Sequence, residues 1–195
     1  MYLFFDTETT GFPSANIDAR DPKQGRICQL AALLTDKDGR SMAEFSTLIR
    51  PDGWAIGSGA QAVHGLTDGL CDRYGIPSDV AFSMFRLLAA RAEMVIAHNL
   101  DFDIKMIAVE ARAHNYVDEY HWTENNFCTM KSTTDICRIP KAKGNGFKWP
   151  SLDEALQFFC GRPVGKDAHD AMIDTRACKD IFFALQDRNL GEGLV

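Results

Sequence analysis

The chain begins with an apolar run that leads directly into two carboxylates. Residues 1–11 are Met-Tyr-Leu-Phe-Phe-Asp-Thr-Glu-Thr-Thr-Gly. Side chains two positions apart on a strand share a face, so Asp6 and Glu8 point the same way. The run from Tyr2 to Phe5 is apolar at every position, which predicts a central strand covered on both faces. The acidic pair is then expected at, or just past, the carboxyl end of a buried strand.

This acidic pair needs a positive partner. Neighbouring carboxylates in a place poor in water repel each other and lose hydration, a cost that is met by protonation, an arginine or a bound cation. The first nineteen residues contain no arginine or lysine. A hard metal ion with oxygen ligands is therefore the leading candidate for the partner.

Composition favours a globular enzyme. The 195 residues are 46% hydrophobic, which suits a single domain over residues 1–195 with a sizeable core. No apolar stretch reaches the roughly 20 residues that cross a bilayer, and the amino terminus lacks signal-peptide features. The six cysteines form no C-x-x-C pair, which argues against a zinc site and suits reduced thiols. We therefore expect a cytoplasmic protein without a membrane partner.

Hydrophobic periodicity indicates an α/β fold. Residues 26–35 and 42–49 are predicted strands, and the Asp-Gly turn between them predicts a hairpin, so they are antiparallel neighbours. The remaining predictions are a helix over 77–92 capped by Ser78 or Asp79, a strand at 94–97, a helix over 101–113, a helix opened by a Ser151–Glu154 capping box, and a last helix over 170–186. This order predicts one mixed sheet with helices on both faces.

Two further acidic groups should lie near the first. Asp103 falls in the first turn of the helix that follows the 94–97 strand, near a strand's carboxyl end. Asp174 lies on or beside the inward stripe of the last helix, and His169 precedes that helix in a turn. Four carboxylates and one imidazole then converge, as two-metal hydrolysis of a phosphodiester requires.

The motifs together resemble a known family. They are Phe5–Gly11, Val63–Thr67, His98–Asp103 and the His169-x4-Asp174 spacing. Over nearly the whole chain, from Tyr2 to Leu185, they resemble the DEDD superfamily of 3′-to-5′ exonucleases, in its histidine-containing DEDDh branch. The segments 128–135 and 148–153 look most like the exonucleases similar to the proofreading epsilon subunit of bacterial replicative DNA polymerase.

The resemblance implies a fold and a set of roles. The fold would be ribonuclease H-like, a central mixed five-stranded sheet whose second strand is antiparallel to the rest. Two divalent cations, Mg²⁺ or Mn²⁺, would be held by four carboxylates, with Asp6 bridging both and His169 as the general base. The metal ligands would be Asp6, Glu8, Asp103 and Asp174, and the substrate-binding residues would include Thr7, Thr9, His64, Asn99 and Phe102. Asp101 departs from the family pattern of a small or apolar residue, and the spacing favours Asp103 over Asp101 as the ligand.

One segment differs in charge from the rest of the chain. The net charge is −6, yet the stretch from Lys131 to Lys148 carries five basic residues against the single acid Asp135, a local charge of +4. This stretch is either a solvated loop or a phosphate-binding surface. In the second case, Lys148 and its neighbours would hold the backbone of a single strand.

The sequence therefore predicts a metal-dependent 3′-to-5′ exonuclease that releases nucleoside 5′-monophosphates from the 3′ end of single-stranded DNA, with a DNA polymerase as a candidate partner. An exoribonuclease of the same branch is the first alternative, because no residue decides the sugar. A non-catalytic nucleic-acid-binding or polymerase-docking module is the second, although clustered acids that repel phosphate argue against it. Residues 11–25 and 115–126 match no motif.

Overall fold

The structure is a computed structural model that describes residues 1–116, 125–165 and 168–191, with side chains described to residue 188. Residues 117–124 of the second motif-free stretch lie outside the described residues. The elements, in chain order, are β1 (Tyr2–Thr9), β2 (Ile27–Thr35), β3 (Ser41–Leu48), α1 (Ser58–His64), α2 (Asp68–Tyr74), α3 (Ser78–Ala89), β4 (Met94–Ala97), α4 (Leu100–Ala113), β5 (Asn126–Cys128), α5 (Thr129–Cys137), α6 (Leu152–Cys160) and α7 (Ala171–Gly191).

The five strands form one mixed sheet in the order β3-β2-β1-β4-β5. Strand β2 is antiparallel to both of its neighbours, whereas β4 and β5 run parallel to β1. The α/β, ribonuclease H-like sheet with an antiparallel second strand is thus confirmed. The predicted Asp-Gly hairpin is present as well, and Gly39 takes a φ of 82° between β2 and β3, a conformation that glycine adopts at little cost.

Strand β1 is longer than its apolar run predicted. It continues to Thr9, because β2 is buried along its whole length and supplies ladder partners opposite both acids. Asp6 lies opposite Ala31 and Glu8 lies opposite Gln29, with a register shift after Glu8. The acidic pair therefore lies inside the strand rather than past its end. By contrast, β4 pairs only with the segment Tyr2–Phe4, so the β4 side of β1 has no strand partner beyond this point among the residues that the structure describes.

Helices cover both faces of the sheet, as expected. On one face, Leu3 and Phe5 pack in a cluster with Phe85 of α3. On the other face, Phe4 packs against Phe182 of α7 with ring centroids 5.5 Å apart. Because side chains alternate along a strand, Asp6 and Glu8 share the face of Phe4, which is the face that α7 covers.

The helix boundaries follow the local signals in part. The capping box at Ser151 and Glu154 is present, with both of its hydrogen bonds. The predicted side-chain cap of α3 was wrong, because Pro77 occupies the N-cap position and no side chain caps the helix. Helix α7 continues to residue 191. No helix in the described ranges combines the length and apolar character needed to cross a membrane, and all six cysteines are free.

Candidate active site

The end of β1 and the start of α7 bring three predicted site residues together. Potential ligand atoms of Glu8, His169 and Asp174 all lie within 4.8 Å of one another. Glu8 and Asp174 are buried, whereas His169 is exposed. This arrangement arises because α7 packs on the face of β1 that carries the acidic pair.

Asp174 joins the helix to the loop before it. One of its oxygens, Oδ2, accepts a hydrogen bond from the backbone N–H of His169 at 3.2 Å. His169 has a φ of 70°, a left-handed conformation that is uncommon for residues other than glycine and that clusters at functional sites. The other oxygen, Oδ1, is buried and has no hydrogen-bond partner within the described part of the chain. A buried carboxylate oxygen left in this way is expected to have a missing ligand.

Asp103 approaches the cluster from the opposite face of the sheet. It lies in the first turn of α4 and is 2% exposed. The Thr7 hydroxyl donates a hydrogen bond to its Oδ1 at 2.7 Å. Asp101 lies instead on the surface, where its carboxylate pairs with Lys131 at 2.6 Å. Of the two candidates in this motif, Asp103 is the one that the fold buries beside β1.

The four carboxylates predicted as metal ligands all have raised pKa values. Burial raises the pKa of Glu8 from its ordinary value of 4.5 to about 8, and repulsion from Asp174 and Asp103 adds to the shift. The pKa of Asp6 is raised well above its ordinary value by burial and then by repulsion from Asp103 and Glu8. Burial likewise raises the pKa of Asp103 to about 7 and that of Asp174 to about 6.

The donor set fits a hard divalent cation. Every charged group that shifts the pKa of Asp6 or Glu8 is another acid, so no basic side chain among the described residues offsets the repulsion at this pair. Oxygen-rich sites of this kind suit Mg²⁺ and Mn²⁺. The orphaned Oδ1 of Asp174 provides a free ligand atom in the same place.

His64 is fixed at the end of β1 by its ring nitrogens. The Leu66 N–H donates to its Nδ1 at 3.0 Å, and its Nε2 lies 3.2 Å from the Thr9 carbonyl oxygen. Since Nδ1 accepts, we assign the proton to Nε2, which donates to Thr9. Burial lowers the pKa of His64, which favours the same neutral form. Only the ring faces and edges of this residue remain for contact with a ligand.

Two other predicted substrate residues, Asn99 and Lys148, make their hydrogen bonds away from the acidic cluster. Asn99 is exposed with a φ of 72°, and its carbonyl accepts from the Phe102 N–H at 2.9 Å at the start of α4. Lys148 donates to Glu154 Oε1 at 2.6 Å beside α6. In the described ranges, Lys148 makes no hydrogen bond to the acidic cluster.

His98 has a structural setting. Its Nδ1 lies 3.0 Å from the Thr129 hydroxyl, and its Nε2 lies 3.1 Å from the Pro150 carbonyl oxygen. Burial lowers its pKa to about 4. It therefore links the end of β4 to α5 and to the segment before α6, and neither ring nitrogen is available for proton transfer.

The structure adds two residues that the sequence interpretation missed. Gln29 of β2 donates from Nε2 to Asp170 Oδ2 at 2.9 Å, and its Oε1 accepts from the Ala171 N–H at 3.2 Å. The other Asp170 oxygen accepts from two backbone N–H groups in the first turn of α7. This Gln29–Asp170 clamp holds the start of α7, and thus His169, against the strand beside β1. Asp170 has a signal in the sequence, since an aspartate just before a helix is a common cap. Gln29 stands out only as a polar residue in a buried strand.

The fold and the candidate site together place the chain in the class of nucleases that have a ribonuclease H-like sheet. The chain belongs to the exonuclease family described as RNase T, which matches residues 3–182, and the predicted membership of the DEDD superfamily is confirmed. The specific likeness to polymerase epsilon subunits stays a prediction. No curated protein matches the chain.

Solved structures of exonuclease I are similar in fold. One is the Escherichia coli enzyme in complex with a dT13 oligonucleotide, at 20% identity and a TM-score of 0.77, where the match covers 97% of this chain and 41% of that chain. The zinc-bound complex of E. coli exonuclease I with single-stranded DNA gives 20% identity, the same coverage and a TM-score of 0.73. A product-bound exonuclease I gives 20% identity, coverages of 95% and 43%, and a TM-score of 0.73. The chain thus spans less than half the length of these relatives, and the likeness at this identity concerns the fold.

Proposed function

We propose that the protein is a metal-dependent 3′-to-5′ exonuclease that hydrolyses the terminal phosphodiester of single-stranded DNA and releases nucleoside 5′-monophosphates. The observation that carries the proposal is the cluster of Glu8, Asp174 and His169, whose ligand atoms lie within 4.8 Å of one another. Within this cluster, Asp174 Oδ1 is buried and has no hydrogen-bond partner among the described residues. A purely structural cluster of acids would carry the repulsion without any benefit.

The four carboxylates of Asp6, Glu8, Asp103 and Asp174 would hold two divalent cations, Mg²⁺ or Mn²⁺. Two such cations, when bound, stabilise charge on the attacking and leaving oxygens of a phosphodiester. The chain's own contribution is to orient the ligands. Thr7 fixes Asp103 by a hydrogen bond of 2.7 Å, and the His169 N–H fixes Asp174.

His169 is the proposed general base. It would take a proton from the attacking water at a ring nitrogen. Its side chain makes no hydrogen bond to the described residues, and it is exposed beside two buried acids. His64 and His98, in contrast, have both ring nitrogens engaged by the protein. A base must reach its proton before its basicity matters, and only His169 of these three is free to do so.

The terminal nucleotide would lie along the open side of β1. Strand β4 pairs with Tyr2–Phe4 only, so backbone groups near Thr7 and Thr9 are candidates to meet the 3′-terminal hydroxyl together with Glu8. His64, fixed to the Thr9 carbonyl, would pack against the nucleotide. Asn99 and Phe102 would shape the path of the strand, and Lys148 would contact its phosphates.

Single-stranded DNA is the proposed substrate because the exonuclease I structures with this fold hold DNA oligonucleotides. A DNA polymerase is the proposed partner if the activity serves proofreading.

The free thiols suit a reducing compartment, and we assign the enzyme to the cytoplasm. An exoribonuclease with the same chemistry is the second candidate, since none of the described residues at the site selects between deoxyribose and ribose.

The test is digestion of matched 5′-labelled DNA and RNA oligonucleotides with Mg²⁺ or with EDTA. We expect stepwise shortening from the 3′ end with Mg²⁺ and none with EDTA. Asp6→Asn should abolish cleavage while the fold is kept, and Asp72→Asn, on the exposed surface of α2, is the matched control. Near-normal Mg²⁺-dependent cleavage by Asp6→Asn would contradict the two-metal site. Cutting of a circular single strand would contradict an exonuclease.

A further inference from the structure

A groove lies at the start of α4 beside the candidate site. Its volume is about 370 Å³, within the range of small-ligand sites. Aromatic side chains on its rim are open to solvent: Phe12 is 86% exposed and Trp149 is 62% exposed. Phe12 contacts the Phe102 ring edge-on, with centroids 5.9 Å apart. The groove is lined by Phe12, Pro13, Asn99, Asp101, Phe102, Lys105, Met130, Lys131 and Trp149.

The charge of the groove complements a nucleic acid backbone. Two lysines, Lys105 and Lys131, face one acid, Asp101. Lys131 is held by Asp101 at 2.6 Å, whereas Lys105 has no ion-pair partner among the described residues. Lys131 begins the basic stretch identified in the sequence and Trp149 directly follows it, and this stretch is positive in a chain of net charge −6.

The lining of the groove is adjacent in sequence to the candidate site. Its wall includes Asn99 and Phe102, which form the entry to α4. The next residue along this first turn is Asp103, which belongs to the acidic cluster. A strand that ends at the cluster and leaves past the start of α4 therefore enters this groove.

We infer that this groove binds the unpaired bases of single-stranded DNA next to the 3′-terminal nucleotide, an inference that rests on the proposed function. Trp149 and Phe12 are the stacking surfaces, and Lys105 and Lys131 contact the phosphates. Bases in a duplex keep their faces stacked on each other, so exposed aromatic rims of this kind favour single strands. Asp101 has the opposite effect, because it competes with phosphate for Lys131.

Binding can be measured without cleavage in the Asp6→Asn protein, by fluorescence anisotropy of 5′-labelled dT8 and dT2. We expect Trp149→Ala to weaken binding of dT8 by at least about five-fold, the lower end for loss of one stacked base, and to change binding of dT2 little. Phe12→Ser, at a site with still greater exposure, should act in the same direction. Equal melting temperatures of variants and parent show that the fold is kept.

The two members of the ion pair provide opposite tests. Lys131→Gln should weaken binding and reduce the slope of log Kd against log salt by about 0.7, the value for one phosphate contact on a single strand. Asp101→Asn should tighten binding. The matched control is Lys37→Gln, which removes another exposed lysine paired with an acid, Glu93 at 3.0 Å, near the amino-terminal end of β1.

Unchanged dT8 binding in Trp149→Ala, Phe12→Ser and Lys131→Gln would overturn the groove assignment, even if the wild-type enzyme digests DNA. If these variants lost affinity for a blunt duplex by the same factors as for dT8, the preference for single strands would be overturned. Tighter binding of rU8 than of dT8 would overturn the choice of DNA. Failure of the proposed function has a separate signature, which is absence of Mg²⁺-dependent shortening by the wild-type protein.

Discussion

Without divalent metal, the protein should lose stability as the pH rises from about 5 to about 8. Glu8 contributes strongly to this loss of stability, because its pKa in the folded protein is about 8 rather than 4.5. In this window the folded state keeps a proton that the unfolded state has released. Stability is then fully present below the unfolded pKa and is lost as the pH rises through the folded pKa. The raised pKa values of Asp103 and Asp174 act in the same direction.

The size of the effect follows from the shift. Each pH unit in the window corresponds to about 1.4 kcal/mol for one group, so Glu8 alone contributes on the order of 3–4 kcal/mol between pH 5 and 8. For a chain of this length, that is roughly 6–16 °C in Tm. Mg²⁺ should raise Tm more at pH 8 than at pH 5, because its ligands must be deprotonated.

The assay is thermal unfolding in EDTA across this pH range. Glu8→Gln removes the titrating group and should flatten the fall, and it should be more stable than wild type at pH 8. Glu93→Gln is the matched control. The pKa of exposed Glu93 is lowered by its bonds to the amino terminus and to Lys37, so this residue changes the stability of the protein at acid pH and not between pH 5 and 8. A wild-type Tm that is constant or rising between pH 5 and 8, or an equal fall in Glu8→Gln, would refute this account of the acidic cluster.

Two other substitutions test the start of α7. His169→Ala should lower kcat by about 10²–10⁴-fold, the usual contribution of a positioned base, and should leave the stabilisation by Mg²⁺ largely intact; an unchanged single-turnover rate at saturating Mg²⁺ would remove His169 from the mechanism. Gln29→Leu breaks the clamp to Asp170 and should reduce the free energy of unfolding by about 1–3 kcal/mol, measured by urea titration. It should also lower Mg²⁺-dependent activity, and full activity would show that the clamp does not position the site.

The sequence was most informative where the signal is local. Strand alternation placed Asp6 and Glu8 on one face, and the Asp-Gly turn predicted the hairpin that makes β2 antiparallel. The seven-residue helices α1 and α2 and the three-residue strand β5 are too short for periodicity to show them.

Contacts between distant residues account for the other gaps. The hydrogen bond of Thr7 to Asp103 spans 96 positions, and the bond of Gln29 to Asp170 spans 141. These partners depend on how the helices and strands pack together, and no local sequence pattern encodes that packing. The length of β1 also depends on a distant part of the chain, because pairing with β2 extends the strand past its apolar run.

The acidic cluster joins the first strand of the chain to its last helix, and this order has a consequence for synthesis. Long-range contacts form late because the intervening chain must first be ordered, and domains emerge from the ribosome amino terminus first. A nascent chain that ends before residue 169 carries Asp6, Glu8 and Asp103 but neither His169 nor Asp174. The proposed phosphodiester chemistry would therefore be absent until α7 has docked on β1.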